Sequence, residues 1–452
     1  MEMKNKTKFK ETEIGKIPED WEIVSFKDAM EINPYRNLNK DTTAKFVPMS
    51  ALKPFVRKIT YLEKRIYKGG NKFKNNDTLL AKITPCLENG KTAFVNVLEK
   101  EEVAFGSSEF IVLSSKPDKT DPKFLYYLAI EPNFRKVTIK SMTGTSGRQR
   151  VQNSILENIL VALPSISEQT KIVKILSSLD DKIELNNKIN NSLEQISQTI
   201  FKHWFINFEF PNEQGKPYKS SGGEFVDLEL GKIPKEWRIG FLNNFNIEVG
   251  SGKWGLEKHT DKNSLEVNCI RGTDLAEINV GRLVNLPKRF ISASDGKNSF
   301  LRHGDIVIEI SGGSPTQSTG RVLFISKEII NFYNNKLICS NFCKVIRTSN
   351  IFESYYLYNL LKLLYEKGIF FNFENGTTGI KNLDFKFLFS RYKIIIPGKK
   401  VVEYFFYKTH NLISKIYNNA IQNDKLSQIR DTLLPKLITG KIRVNLEDIK
   451  ES

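Results

Sequence analysis

Hydrophobic positions along the chain follow two periods, and each occurs twice. After Leu163-Pro-Ser-Ile-Ser-Glu-Gln169 the chain runs to Phe205 without an internal Gly or Pro. Apolar residues recur there at Ile172, Leu176, Leu179, Ile183, Leu193 and Ile200, with a second stripe at Ile175, Ile189 and Ile196. Lys, Asp, Glu and Asn fill the other faces, so the spacing predicts a helix about 60 Å long at ~1.5 Å per residue. A second such stretch begins near Lys400, carries Phe405, Leu412, Ile416, Leu426 and Leu433, and meets a stop signal at Pro435-Lys-Leu-Ile-Thr-Gly440. Asn186, Asn190, Asn419 and Asn423 interrupt the two tracks. Asparagine buried between helices costs stability but fixes register. Two helices of equal length in one chain can cover each other's stripes as an antiparallel intramolecular coiled coil.

Outside these stretches the pattern is of short strands broken by turns, and it repeats. Glu13-Ile-Gly-Lys-Ile-Pro-Glu-Asp-Trp21 returns as Glu229-Leu-Gly-Lys-Ile-Pro-Lys-Glu-Trp237, a period of about 216 residues. In each half a turn then feeds a buried strand, at Phe73–Lys82 and at Leu301–Ile310. An amphipathic helix follows, over 121–128 and 352–361. Next come the loops Gly144-Thr-Ser-Gly-Arg-Gln-Arg150 and Gly376-Thr-Thr-Gly-Ile-Lys381, each leading to a strand that ends at Pro164 or Pro397. The expected fold is α+β, two repeated globular domains each followed by a long helix. The boundaries read 1–12 polar tail, 13–163 first domain, 164–209 first helix, 210–228 Gly/Pro/Ser-rich surface linker, 229–397 second domain, 398–440 second helix and 441–452 tail.

Composition narrows the function. With 452 residues, 40% hydrophobic and 26% charged, the chain is a folded multidomain protein. Its net charge of +17 favours an anionic partner, of which nucleic acid is the commonest. No apolar run is long enough to span a membrane and the polar N-terminus does not resemble a signal peptide, so a cytoplasmic protein is expected. Cys86, Cys269, Cys339 and Cys343 suit reduced thiols, and without a second ligand pair no metal is expected.

Enzymatic motifs are incomplete. Asn33-Pro34 lacks the second proline of an amino-methyltransferase loop and reads as a turn. Asp305 with Glu309 lacks the lysine of a metal-dependent nuclease; Asp305 should cap a turn, and Glu309 should face solvent or DNA. No phosphate loop is present, and His203, His259, His303 and His410 show no ligand spacing. Basic residues in glycine-containing loops are the better candidates, since they approach phosphates and guanine edges. With the polar side chains beside them, the candidates are Lys82, Thr84, Lys91, Arg148 and Arg150 in the first half, and Lys253, Arg271, Ser314, Gln317, Arg321 and Lys381 in the second.

Taken in order, the two Gly-Lys-Ile-Pro openings, Leu163–Gln169, the linker Gly215-Lys-Pro-Tyr-Lys-Ser-Ser-Gly-Gly223 and the closing Leu433-Leu-Pro-Lys-Leu-Ile-Thr-Gly-Lys-Ile-Arg443 resemble the specificity subunits of type I restriction-modification systems over nearly the whole chain. The resemblance implies that each half is a target-recognition domain reading one half of a split, asymmetric double-stranded DNA site. The helices would space the domains, so that changing their length changes the gap. It also implies two modification (methyltransferase) subunits as partners and, in the full complex, ATP-dependent restriction subunits. S-adenosylmethionine, ATP and Mg would then belong to the partners, and none to this non-catalytic chain. The second half departs from the pattern, with Pro397-Gly-Lys-Lys-Val-Val-Glu403 in place of the Glu-Gln pair. Two further readings are an orphan DNA-binding protein and a coiled-coil adaptor that binds no DNA.

Overall fold

The computed structural model describes residues 8–145, 147–314, 316–376 and 381–444. Ser146, Pro315, Thr377–Ile380 and the outer parts of both predicted tails lie outside the described residues. Contacts divide the chain into two units, Met1–Lys182 with Leu426–Ser452, and Ile183–Lys425.

In the first unit Glu22–Ser25, just after the buried Trp21, pairs antiparallel with Leu160–Leu163. The main sheet has the order Met30–Ile32, Phe110–Ser115, Thr78–Ala81, Thr92–Phe94, antiparallel throughout. Its central strands are apolar at successive positions because both faces are covered, adjacent side chains pointing to opposite sides. Leu80, Ile111 and Leu113 join one core with Phe124–Ala129 of the helix Pro122–Ile130. Leu79, Phe110 and Val112 join another with Val47 and Phe73 of a second sheet. That sheet runs Glu63–Ile66, Thr43–Val47, Ala104–Gly106, Asn71–Phe73, with the middle pair parallel.

The second unit repeats the plan. Arg238–Phe241, after Trp237, pairs with Lys393–Ile396. The main sheet runs Glu248–Ser251, Cys343–Arg347, Ile306–Glu309, Val322–Phe324, again antiparallel. A second sheet of Lys288–Ile291, Leu265–Ile270 and Leu337–Cys339 keeps the parallel pair. Both turns predicted to feed the central strand are held alike. Asp77 accepts the Lys74 N–H at 2.8 Å and pairs with Arg36, while Asp305 accepts the Arg302 N–H at 2.7 Å and pairs with Arg347. Asn33 is a turn residue, with φ +51° and its side-chain oxygen accepting the Val112 N–H at 2.9 Å.

The long helices span Ile166–Phe205 and Lys399–Ile438 and run antiparallel. In the second unit the asparagines meet as the periodicity predicts. Asn186 donates to Gln422 and Asn423 at 2.7 and 2.8 Å, Asn419 donates to Asn190 at 2.8 Å, and Asn423 donates to Asn187 at 3.0 Å. Toward the end of the first helix, Phe201 and Trp204 pack on Phe405. In the first unit Ile172 and Leu176 share a core with Leu434, Leu437 and Ile438, and Asp180 pairs with Arg430 at 2.7 Å.

Three expectations need correction. Of the predicted packing stripes only Ile172, Leu176, Phe405 and Ile416 are fully buried; Leu179, Ile183, Leu193, Ile200, Leu412, Leu426 and Leu433 are half-buried, and Ile196 is exposed. Polar Ser177, Asp180, Asn186, Asn190, Ser197 and Gln198 take up buried positions instead; Asp180, Asn186 and Asn190 do so because each meets a polar partner on the second helix. The second helix ends within Pro435–Gly440 as expected, at Ile438, with Pro435 helical in its last turn. Burial of Leu434, Leu437 and Ile438 holds that last turn. The linker is not a free surface segment: Phe210 is buried, stacked on Tyr218 and Trp237 at 4.6 and 4.9 Å. Finally, Glu309 does not face solvent but lies buried beside Arg321.

The opening words explain themselves in the first unit. Trp21 donates its indole N–H to Glu168 at 3.1 Å, and Arg443 forks onto Glu168 and Asp20. Gln169 accepts the Asp121 N–H and donates to the Lys119 and Pro164 carbonyls. Trp237, lacking such a Glu-Gln pair, stacks on aromatic rings instead.

Candidate nucleic-acid interface

Each unit brings its glycine-containing loops side by side. In the first, Ile83 bridges Arg150, the Thr84 N–H donates to the Gln149 carbonyl at 3.0 Å and the Val151 N–H to the Lys82 carbonyl at 3.0 Å. The loop after the central strand therefore lies against Gly144–Arg150. Lys91 bridges Pro54 and donates its ammonium to the Met49 carbonyl at 3.1 Å. Arg148 is exposed, and the Thr84 hydroxyl has no partner among the described residues. In the second unit the same juxtaposition is built from different residues. Ser311 and Gly312 pair with Asn382 and Lys381, Ser314 bridges Gln317, and Gln317 donates to the Tyr365 hydroxyl at 3.3 Å.

Most of the predicted basic heads are already engaged by carboxylates. Arg150 forks onto Glu109 at 2.8 to 3.1 Å, Arg271 onto Asp274, and Arg321 onto Glu309 at 2.8 and 2.5 Å. Lys253 pairs with Asp295 and Lys381 with Glu374. The hydrogen bond from Arg150 holds the Glu109 carboxyl below the usual range against the opposing effect of partial burial. Burial would raise Glu374, but Lys381 and the Thr319 donors outweigh it and keep that carboxyl low.

These pairs sort the candidates. Glu309 is buried and Arg321 half-buried against it, and a Cβ on Gly272 or Gly312 would come within 2.6 or 2.7 Å of Glu309. Arg321 thus anchors the loop through Glu309. Arg150, Arg271 and Lys253 remain nearly half-exposed, and a forked guanidinium has further N–H donors with its orientation set in advance. Glu109, Glu374 and Tyr365, which position the loops, were missed because Arg150, Thr319 and Gln317, which they hold, lie 41, 55 and 48 residues away.

Residues 18–195 and 234–431 match the model of the type I restriction modification DNA specificity domain, once in each half. The chain belongs to that family. It is 28% identical to the Type I restriction enzyme MjaIX specificity subunit of Methanocaldococcus jannaschii, covering 97% of both chains. With the HindI specificity subunit of Haemophilus influenzae it shares 26% identity over 82% of this chain and 87% of that one. Its fold resembles the S subunit of a type I restriction-modification system from M. genitalium, with TM-score 0.51 and 16% identity over 97% of this chain and 98% of that chain. The two paired-loop clusters fall one within each specificity domain.

Cys269, Cys339 and Cys343 are buried beneath the second domain's loops, and burial pushes the Cys269 and Cys343 thiols up to about 12. No helix among the described residues is long and apolar enough to cross a membrane.

Proposed function

We propose that this chain is the sequence-specificity subunit of a type I restriction-modification complex, each domain reading one half of a bipartite, asymmetric DNA target. The observation that carries the reading is the double match to the specificity domain, with the same pair of loops adjacent in each half. The side chains in those loops differ between the halves, which supports two unlike half-sites. A net charge of +17 supports the backbone attraction that DNA binding requires.

The helix pair serves as the spacer and as the docking surface for two methyltransferase subunits. Its asparagine contacts specify one register, and a helix pair of fixed length makes the number of unread base pairs a geometric property, as half-site spacing is elsewhere. Methyl transfer with S-adenosylmethionine and ATP-driven restriction with Mg belong to partner subunits in the cytoplasm. This chain supplies recognition and no catalysis.

The test is a map of methylated adenines in host cells with and without the gene. Loss of one motif made of two short unlike half-sites at a fixed gap is the expected result. Unchanged methylation with the partners expressed would sink the reading. An adaptor that binds no DNA would instead show no salt-dependent binding to duplex.

A further inference from the structure

Lys53-Pro-Phe-Val56 places a phenylalanine where the backbone favours glycine. The turn is closed by the Val56 N–H on the Lys53 carbonyl at 3.3 Å, with Pro54 second and Phe55 third. Phe55 has φ +55°, the left-handed region that Gly and Asn tolerate at this position of a turn and that bulky side chains rarely adopt. Such a conformation persists only where the surroundings over-determine it, and it concentrates at functional sites.

The surroundings here do over-determine it. The Phe55 N–H donates to the Gly90 carbonyl at 3.0 Å, and Pro54 bridges Lys91. The ring lies 4.8 Å beneath the guanidinium of Arg135, a buried side chain tied to the Leu87 carbonyl at 2.8 Å. Gly90 leaves the ring its place, since a Cβ there would sit 2.7 Å from it. Yet the residue is 54% exposed. Core packing would have covered the ring, and turn geometry alone would have selected Gly or Asn. Lys53 and Lys58 are exposed beside it, with Glu88 an acid on the adjoining loop. That loop is the one whose start, at Ile83 and Thr84, lies against the Arg148 loop.

We propose that Phe55 is a DNA-contacting residue, its ring held in advance to meet a base step of the first half-site. This rests on the function proposed above and adds a specificity residue that basic-loop reasoning overlooks. Apolar side chains act on duplexes as wedges against base steps, and loss of one aromatic–base contact lowers affinity by roughly tenfold.

The experiment uses the full chain assembled with its methyltransferase subunits and a duplex carrying the mapped target, with 2-aminopurine placed in turn through the first half-site. Phe55→Asn suits the backbone but removes the ring. Its Tm should equal or exceed that of the parent while affinity falls roughly tenfold and the fluorescence response disappears at one base step. Phe55→Trp should restore affinity and response. Parent-like affinity in Phe55→Asn, or a loss that only tracks a lower Tm, would overturn the proposal. A parent complex that fails to distinguish the target from a scrambled duplex would overturn the underlying function as well.

Discussion

Replacing Asn419 by leucine should destabilise the second unit, and replacing Asn190 as well should restore it. Asn419 donates to the Asn190 side-chain oxygen at 2.8 Å, and Asn190 donates to the Ile416 carbonyl at 3.3 Å. Both are nearly inaccessible, and the site is closed on one side by Gly281, where a Cβ would come 2.4 Å from the Asn190 amide. Leucine has nearly the shape of asparagine, so Asn419→Leu removes a donor without opening a cavity. The stranded acceptor costs about 1–3 kcal/mol. At roughly 2–4 °C per kcal/mol for a unit of this size, Tm should fall by about 2–12 °C. In Asn190→Leu/Asn419→Leu no buried amide is left unpaired at this level, and apolar contact replaces it; stability should return to the parent value or exceed it, while register is specified less well. Calorimetry on the parent, both single variants and the double variant closes the cycle. An Asn419→Leu variant that melts within a degree of the parent, or a double variant no better than the sum of the singles, would refute the reasoning.

Arg430→Met should cost about 3–5 kcal/mol in urea unfolding, because it leaves the buried Asp180 with only the Tyr127 hydroxyl among the described residues; Asp180→Leu/Arg430→Met should recover most of the loss. Glu109 has a carboxyl held below its ordinary value of 4.5, first by the Arg150 hydrogen bond. Its contribution is therefore complete above that value and lost as pH falls through the lowered folded value. The Tm difference between the parent and Glu109→Gln should accordingly stay constant from about pH 7 to 5 and close below about pH 4. Leu179→Glu/Ile183→Glu, at half-buried positions of the first helix, should abolish assembly with methyltransferase subunits while leaving the second half-site's recognition unchanged in any residual complex. Size-exclusion chromatography of the co-expressed subunits showing an intact complex would count against a docking role for this helix.

Local signals carried the architecture. The openings that end in Trp21 and Trp237 declared the repeat, and the two stripes free of Gly, with Pro only at 435, declared the long helices. Asn186, Asn190, Asn419 and Asn423 announced an interhelical contact because their spacing keeps them on one face, whatever lies opposite. Asp77 and Asp305 marked their turns for the same reason, since a carboxylate capping an N–H three residues back is a short-range bond. The loops of the candidate interface were equally legible as Gly- and Arg-bearing segments.

Which of their cations stay available was decided by tertiary structure. Arg150 finds Glu109 41 residues away across a strand pairing, and Arg321 is drawn inward because Glu309 cannot remain buried without a partner. Packing also overruled local rules where burial outweighed them: Pro435 stays helical over a core of Leu434, Leu437 and Ile438, and Phe55 holds a left-handed turn against Gly90 and Arg135. Periodicity and capping depend on neighbours within a few residues, so the sequence by itself determined them. Charge pairing and strain depend on desolvation by distant segments, which only the folded chain brings together.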